Sequence, residues 1–338
     1  MKKLFYSLTL LSIILSSCSN DDDDTMMSNP TPTPEAKLIT TSNTTGKVSY
    51  LDLLSSTATA KSLTIQSMDA DGSYYNSETD ELIIASRTNN RLELYTGLKN
   101  AVSTNMDNLM LKYSSTSDFN NAREIAVMGD KVIVTQDQNA ANSNVNKLLV
   151  YQKTATGFTL LNTYTTGFKV WGIHIEGTKL YAIVDLTSDL VVYDNFFSNP
   201  NGALTPTKRV TIEGLVRTHG ITYSSTKDRM VLTDVGSATS DTDGGIVVIN
   251  NFSVIIAGTP NNGTIAMNSQ KRIFGANSTL GNPVDCAYDS VTDKIYVAER
   301  LNGGGKILTF NLPTVSADAT PINTRMEPGA TSVYLLRK

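Results

Sequence analysis

Six residues spread along the chain, Asp71, Arg123, Glu124, Trp171, His219 and Asp285, are of the types that hold a small molecule when they meet. An indole ring stacks on a flat partner, a guanidinium pairs with an acidic group through a two-pronged fork, and carboxylates accept hydrogen bonds. Convergent polar groups beside an aromatic face make a ligand site, and Trp and Arg also anchor protein contacts. The competing outcome is that these charges pair with one another and plug the opening they line. No local motif joins the six residues. What relates them is their place in a repeat.

The repeat is clearest in residues 294–310, KIYVAERLNGGGKILTF, two short alternating strands around a polar, Gly-rich turn. The pattern recurs as ELIIASRTNNRLELY from Glu81, KVIVTQDQNAANSNVNKLLVY from Lys131, KLYAIVDLTSDLVVY from Lys179, RMVLTDVGSATSDTDGGIVVI from Arg229 and KLITTSNTTGKVSYL from Lys37. A period of roughly 40 to 65 residues belongs to propeller blades rather than to helical or leucine-rich repeats. Every hairpin but the one from Lys37 is preceded by a short strand, beginning at Gly72, Glu124, Gly172, Gly220 or Asp285, and most are followed by a looser fourth strand. The chain opens on a second strand at Lys37 and closes on a lone first strand, residues 332–336. One blade is therefore shared between the two ends, which closes the ring and removes the open sheet edge. The expected fold is all-β, a six-bladed β-propeller of four-stranded blades over residues 37–338. A seventh blade has room only in residues 254–282, which lack a second hairpin. Long apolar stretches with helical spacing are absent.

Innermost strands line the channel of such a ring. Aligning the repeats puts Gly72, Glu124, Gly172, Gly220, Asp285 and Thr331 at one level, and Asp71, Arg123, Trp171, His219, Val284 and Ala330 at the level before it. A purely structural ring would be small and repetitive, as the three glycines are; the ring before it is not. Ser42, Ser86, Gln136, Val184, Asp234 and Glu299, with neighbours that include Arg87, Asp137 and Asp185, end the second strands. They either crown the same mouth or solvate turns. His174 reads as a packed strand residue.

The net charge of −4 with no basic stripe gives no footprint for nucleic acid. The two cysteines, Cys18 and Cys286, are too few for a disulfide scaffold, and Cys286 reads as a small buried apolar residue. There is no nucleophile elbow, HExxH or CxxC. Two DxDG segments, ending at Gly72 and Gly244, lack the rest of a calcium loop, and residues 303–306 lack the spacing of a phosphate loop.

Residues 1–17 carry Lys2 and Lys3 before an apolar run too short to span a bilayer, the layout of a secretory signal peptide. The segment ends Leu15-Ser16-Ser17-Cys18, which resembles the lipobox of bacterial lipoproteins. That resemblance implies cleavage before Cys18 and acylation of that residue, palmitate-type chains included, anchoring the protein in the outer membrane. Asp21 to Asp24 directly after it resemble the surface-export signal of Bacteroidota lipoproteins, which implies exposure on the cell surface. Residues 18–36 thus join the lipidated Cys, the acidic run and a Pro/Thr tether.

The KIYVAE and KLYAIVD segments resemble the six-bladed group that includes NHL, YVTN and gluconolactonase-type propellers. Gluconolactonase-type enzymes hold a divalent metal in the channel. The resemblance implies Glu124 and Asp285 as its ligands and His219 as base in a lactone- or ester-hydrolysing alternative, although the Asn ligands of that family have no counterparts in the ring. Surface lipoproteins of this shape resemble capture proteins that hold a nutrient, glycan or iron chelate for a transporter. The leading expectation is therefore a non-catalytic binding protein using Asp71, Arg123, Glu124, Trp171, His219 and Asp285, with an envelope interaction scaffold as the third alternative.

Overall fold

The computed structural model describes residues 33–338. Cys18, the segment before it and the acidic run after it lie outside them. From Ala36 onward, six small sheets of four or five strands stand in a ring, forming a six-bladed β-propeller.

The innermost strands are Ala70–Asn76, Ala122–Met128, Val170–Glu176, Thr218–Ser224, Pro283–Asp289 and Ala330–Arg337, in blades one to six. Each packs on the next, and the last returns to the first. In blade six Ala330–Arg337 pairs with Ala36–Ser42, so the two chain ends share one sheet. Backbone bonds between Glu35 and Lys338 fasten the seam. Both ends therefore leave from the face where innermost strands finish, called the lower face below; the upper face is where they start.

The alternation seen in the hairpins puts apolar residues on both sides of each second strand, because each blade is covered by neighbours on both faces. Residues 132–134 and 295–298 are wholly buried in this way. Ile133, Leu148 and Val150 of blade two pack against Ile173, Leu180 and Ala182 of blade three, and such clusters recur around the ring.

As the six-blade reading expects, residues 254–282 form no further blade. Two details differ from that reading. A helix, Phe252–Gly258, and an added two-residue strand, Thr264–Ile265, precede the outer strand of blade four. The helix buries Phe252 and Ile256 and is too short for its period to stand out. A second short helix, Leu98–Ser103, joins the third and outer strands of blade one. The innermost strands also begin about two residues earlier than alternation suggests, because each contains a bulge.

Candidate functional site

The bulge falls at the same level in all six innermost strands, at Gly72, Arg123–Glu124, Trp171–Gly172, His219–Gly220, Val284 and Thr331. An extra residue against one partner bends a strand and re-aims its side chains. Threonines of the second strands knit the bulges together. Thr135 Oγ1 takes the Glu124 N–H at 2.8 Å and donates to the Trp171 carbonyl of the next blade at 3.2 Å; Thr233 Oγ1 takes the Gly220 N–H. The glycines let the strands approach. A Cβ on Gly172 would lie 2.1 Å from the His219 carbonyl oxygen, and one on Gly220 2.8 Å from Asp285 Cα. Gly72 additionally holds φ +72°, where side chains are disfavoured.

Above the bulges, four of the six residues singled out in the sequence come together. His219 lies parallel to Trp171 at 3.7 Å and 5°. The Arg123 guanidinium sits 4.1 Å from the indole centroid and so must cover its other face. Arg123 also bonds Asp137 at 3.0 Å and approaches Asp71 at 4.0 Å; Arg87 meets Asp71 at 3.2 Å. Lys169 adds a cation to Asp137, and Asp185 receives Arg217 at 2.8 Å and His219 at 3.1 Å. Trp171 is 7% exposed and His219 1%. The upper mouth is thus filled by a self-paired stack, and the indole offers no free face.

The charges in this stack follow from their neighbours. Burial opposes ionisation of Asp185, yet hydrogen bonds from His219 and Arg217 outweigh it and hold the carboxyl well below its usual range. Burial lowers His219 to about 4 against the pull of Asp185, so the imidazole is neutral at pH 7. Burial lifts Asp71 to about 6 in spite of Arg87 and Arg123. His219 Nδ1 and the Nε atoms of Arg87 and Arg123 find no hydrogen-bond partner among the described residues, a cost that the ionic contacts offset.

Below the bulges the channel opens into a cavity of about 270 Å³, reaching Tyr74, Ile175, Tyr288 and Leu335 at the lower face. Glu124 and Asp285 line its closed end. Asp285 accepts the N–H of Cys286 on Oδ1 and of Val333 on Oδ2, both at 2.7 Å. Glu124 accepts only the N–H of Ile125, at 2.8 Å. Among the described residues, no Lys or Arg lines this cavity. Burial pushes Asp285 up to about 7 against those two backbone bonds. Burial, then repulsion by Asp285, raises Glu124 well above the carboxylate range. Asp285, with two backbone donors, keeps the negative charge better, so the pair's proton resides on Glu124. Cys286 is buried beside them and its thiol is raised too, which fits the inert apolar role read from the sequence.

The six residues therefore divide: Asp71, Arg123, Trp171 and His219 above, Glu124 and Asp285 below. His219 does not line the lower cavity. Among the described residues no three His, Cys, Asp or Glu side chains gather as a metal site would need. Glu124 and Asp285 supply only two carboxyls and no third His, Cys, Asp or Glu among the described residues joins them, so the donor set does not fit a divalent metal. The DxDG segments do other work: Asp71 belongs to the stack, and Asp243 accepts the Ser237 N–H. The second ring crowns the upper mouth. Arg87, Asp137 and Asp185 are the stack's counter-ions, while Asp234 and Glu299 receive backbone N–H groups of the incoming loops. Arg217 and Lys169, which complete the stack, escape the ring alignment because they sit two residues before His219 and Trp171. His174, at the lower end, lines the cavity.

No protein-family model matches the sequence, and no curated protein matches it. Solved structures do resemble the fold. A chain of a nidogen–laminin complex superposes with a TM-score of 0.61 at 14% identity, covering 89% of this chain and 98% of that one. A candidate 6-phosphogluconolactonase from Bacteroides fragilis gives 0.58 at 8% identity, with 89% and 98% covered. Another from Bacteroides uniformis gives 0.57 at 11% identity, with 90% and 99% covered. At these identities the likeness is one of fold, and folds of this kind host many functions.

Proposed function

We propose that this chain is a lipid-anchored, surface-exposed capture propeller whose ligand site is the lower channel cavity. The anchor is Cys18, and the described residues enter the propeller at Glu35, on the same face as the cavity opening. The observation that carries the reading is the pair Glu124 and Asp285 at the closed end of that cavity, with no Lys or Arg among the described residues lining it. Every carboxylate of the upper stack has a cation; these two face open space. They accept hydrogen bonds, so they favour a ligand that donates them: the hydroxyls of a sugar residue at a glycan end, or an ammonium group. The volume suits a single sugar unit and falls just below the ~300 Å³ at which drug-sized pockets begin. Acceptor-rich anions, iron chelates among them, would meet repulsion.

The two lactonase-named neighbours raise a hydrolase as the alternative. A phosphorylated sugar lactone needs a cation for its phosphate, and this cavity offers none. A thermal-shift screen of the full chain tests the reading. Monosaccharides or small ammonium ions are expected to raise the melting temperature saturably, and phosphosugars and ferric chelates to leave it unchanged. Stabilisation by the anions alone, or turnover of simple lactones, contradicts it.

A further inference from the structure

The outer strands of the blades are not treated alike. In blades two, three, four and six the outer edge is covered by a short parallel segment from the next blade's connection between its third and outer strands. Gly202–Ala203 lies along Phe158–Thr166, and Thr264–Ile265 along Lys208–Ile212. Ala317 bridges Ile273, and Asn108 bridges Thr64. The bonds are regular: Leu204 N to Thr165 O at 2.9 Å, Thr211 N to Gly263 O at 2.9 Å, Ala317 N to Arg272 O at 2.9 Å and Leu109 N to Thr64 O at 2.9 Å. Covering edges this way blocks uncontrolled pairing.

Among the described residues, two outer strands lack the cover. In blade one, Met110–Ser114 is bare because the next connection, residues 154–157, is too short to reach it. In blade five, Asn323–Met326 is bare for a different reason. The connection that should cover it, residues 53–60, is long enough but stands off. A groove of about 660 Å³ separates Ala58, Thr59 and Ala60 from the edge, with Leu51 and Ser62 on its wall. The loop backbone bonds of this strand, from Ile322 and Glu327, run inward to Thr309 and Gly305. Ile322 and Met326 are about half exposed, at 48% and 59%.

We propose that the outer edge of Asn323–Met326 is a strand-addition site for an extended segment of a partner polypeptide. The segment runs parallel to the edge and fills the groove that the chain's own connection leaves open. The four covered edges define its chemistry: two or three residues of extended backbone with mostly small side chains, Gly, Ala or Thr, where it passes the strand. Main-chain hydrogen bonds supply the affinity and the groove wall the selectivity.

Two measurements on the full chain test this. In amide exchange, the outward N–H groups of Asn323–Met326 are expected to exchange at least about a hundredfold faster than those of Thr211 and Glu213, which bond to a parallel segment. Equal protection overturns the open edge. A displayed library of random eight-residue peptides, panned on the same chain, is expected to yield binders that slow exchange in Asn323–Met326. Their affinity should fall at least about tenfold, or 1.4 kcal/mol, in Ala58→Trp, which fills the groove from a surface loop. No enriched peptide, or peptides indifferent to Ala58→Trp in a variant that melts like wild type, overturns the site.

Discussion

The two halves of the channel are built by the same six strands and hold charge in opposite ways. Above the bulges, Asp71, Asp137 and Asp185 each meet a guanidinium or ammonium, and Trp171 is closed between Arg123 and His219. Below them, Glu124 and Asp285 accept backbone N–H groups and line one cavity, with no Lys or Arg among the described residues lining it. Paired charge in a filled mouth is structure; on the proposed reading, unpaired acid facing a cavity is the ligand site. Residue type alone does not separate the two cases, since the upper half has the aromatic and cationic residues usually associated with recognition.

The sharpest way to break the upper half is through its glycine. Gly172→Ala drives a Cβ into the His219 carbonyl, a backbone atom that cannot step aside. We expect a loss of about 3 kcal/mol or more, the upper end for overpacking, read by denaturant unfolding. Asp185→Ala comes next. It strands Arg217 and buried His219 without their anion and should cost about 3 kcal/mol.

The lower half responds with the opposite sign. Glu124 has a raised folded-state pKa, so the stability it contributes is full below its unfolded value and fades as pH rises. Glu124→Gln keeps an acceptor for Ile125 N–H but carries no charge. It should therefore stabilise the protein by about 1 kcal/mol at pH 8 and change little at pH 5. Melting curves at the two pH values check this. His219 runs the other way: its depressed pKa gives stability above the unfolded value of 6.5 that is lost as pH falls toward about 4. The smallest expected effect is optical. Protonating the stacked imidazole quenches the indole, so Trp171 emission should drop with a midpoint near pH 4. A midpoint near 6.5 would mean that the stack is open to water.

Much of this was legible in the sequence. The hairpin KIYVAERLNGGGKILTF and its copies specify blades because alternation and Gly- or Asn-bearing turns are local properties. The split closure was legible from a second strand at Lys37 and an unpaired first strand at the C-terminus. The ring alignment brought Asp71, Arg123, Trp171 and His219 to one mouth, where they are. It could not show that the bulge turns Glu124 and Asp285 into the opposite half, because one extra residue per strand leaves the alternation on either side intact. Gly172 and Gly220, each following a large aromatic residue at the bulge, were the available sign that two strands approach closely there. The strand covering of the outer edges is invisible to periodicity, since two-residue parallel segments such as Gly202–Ala203 carry no pattern.

The most direct test of where the site lies is calorimetric titration of the full chain with a monosaccharide series, comparing wild type, Glu124→Gln and Trp171→Phe. The account predicts saturable binding by wild type, weakened at least about tenfold in Glu124→Gln and retained in Trp171→Phe. Binding that survives Glu124→Gln and disappears with Trp171→Phe would place the ligand in the upper mouth and contradict the division of the channel.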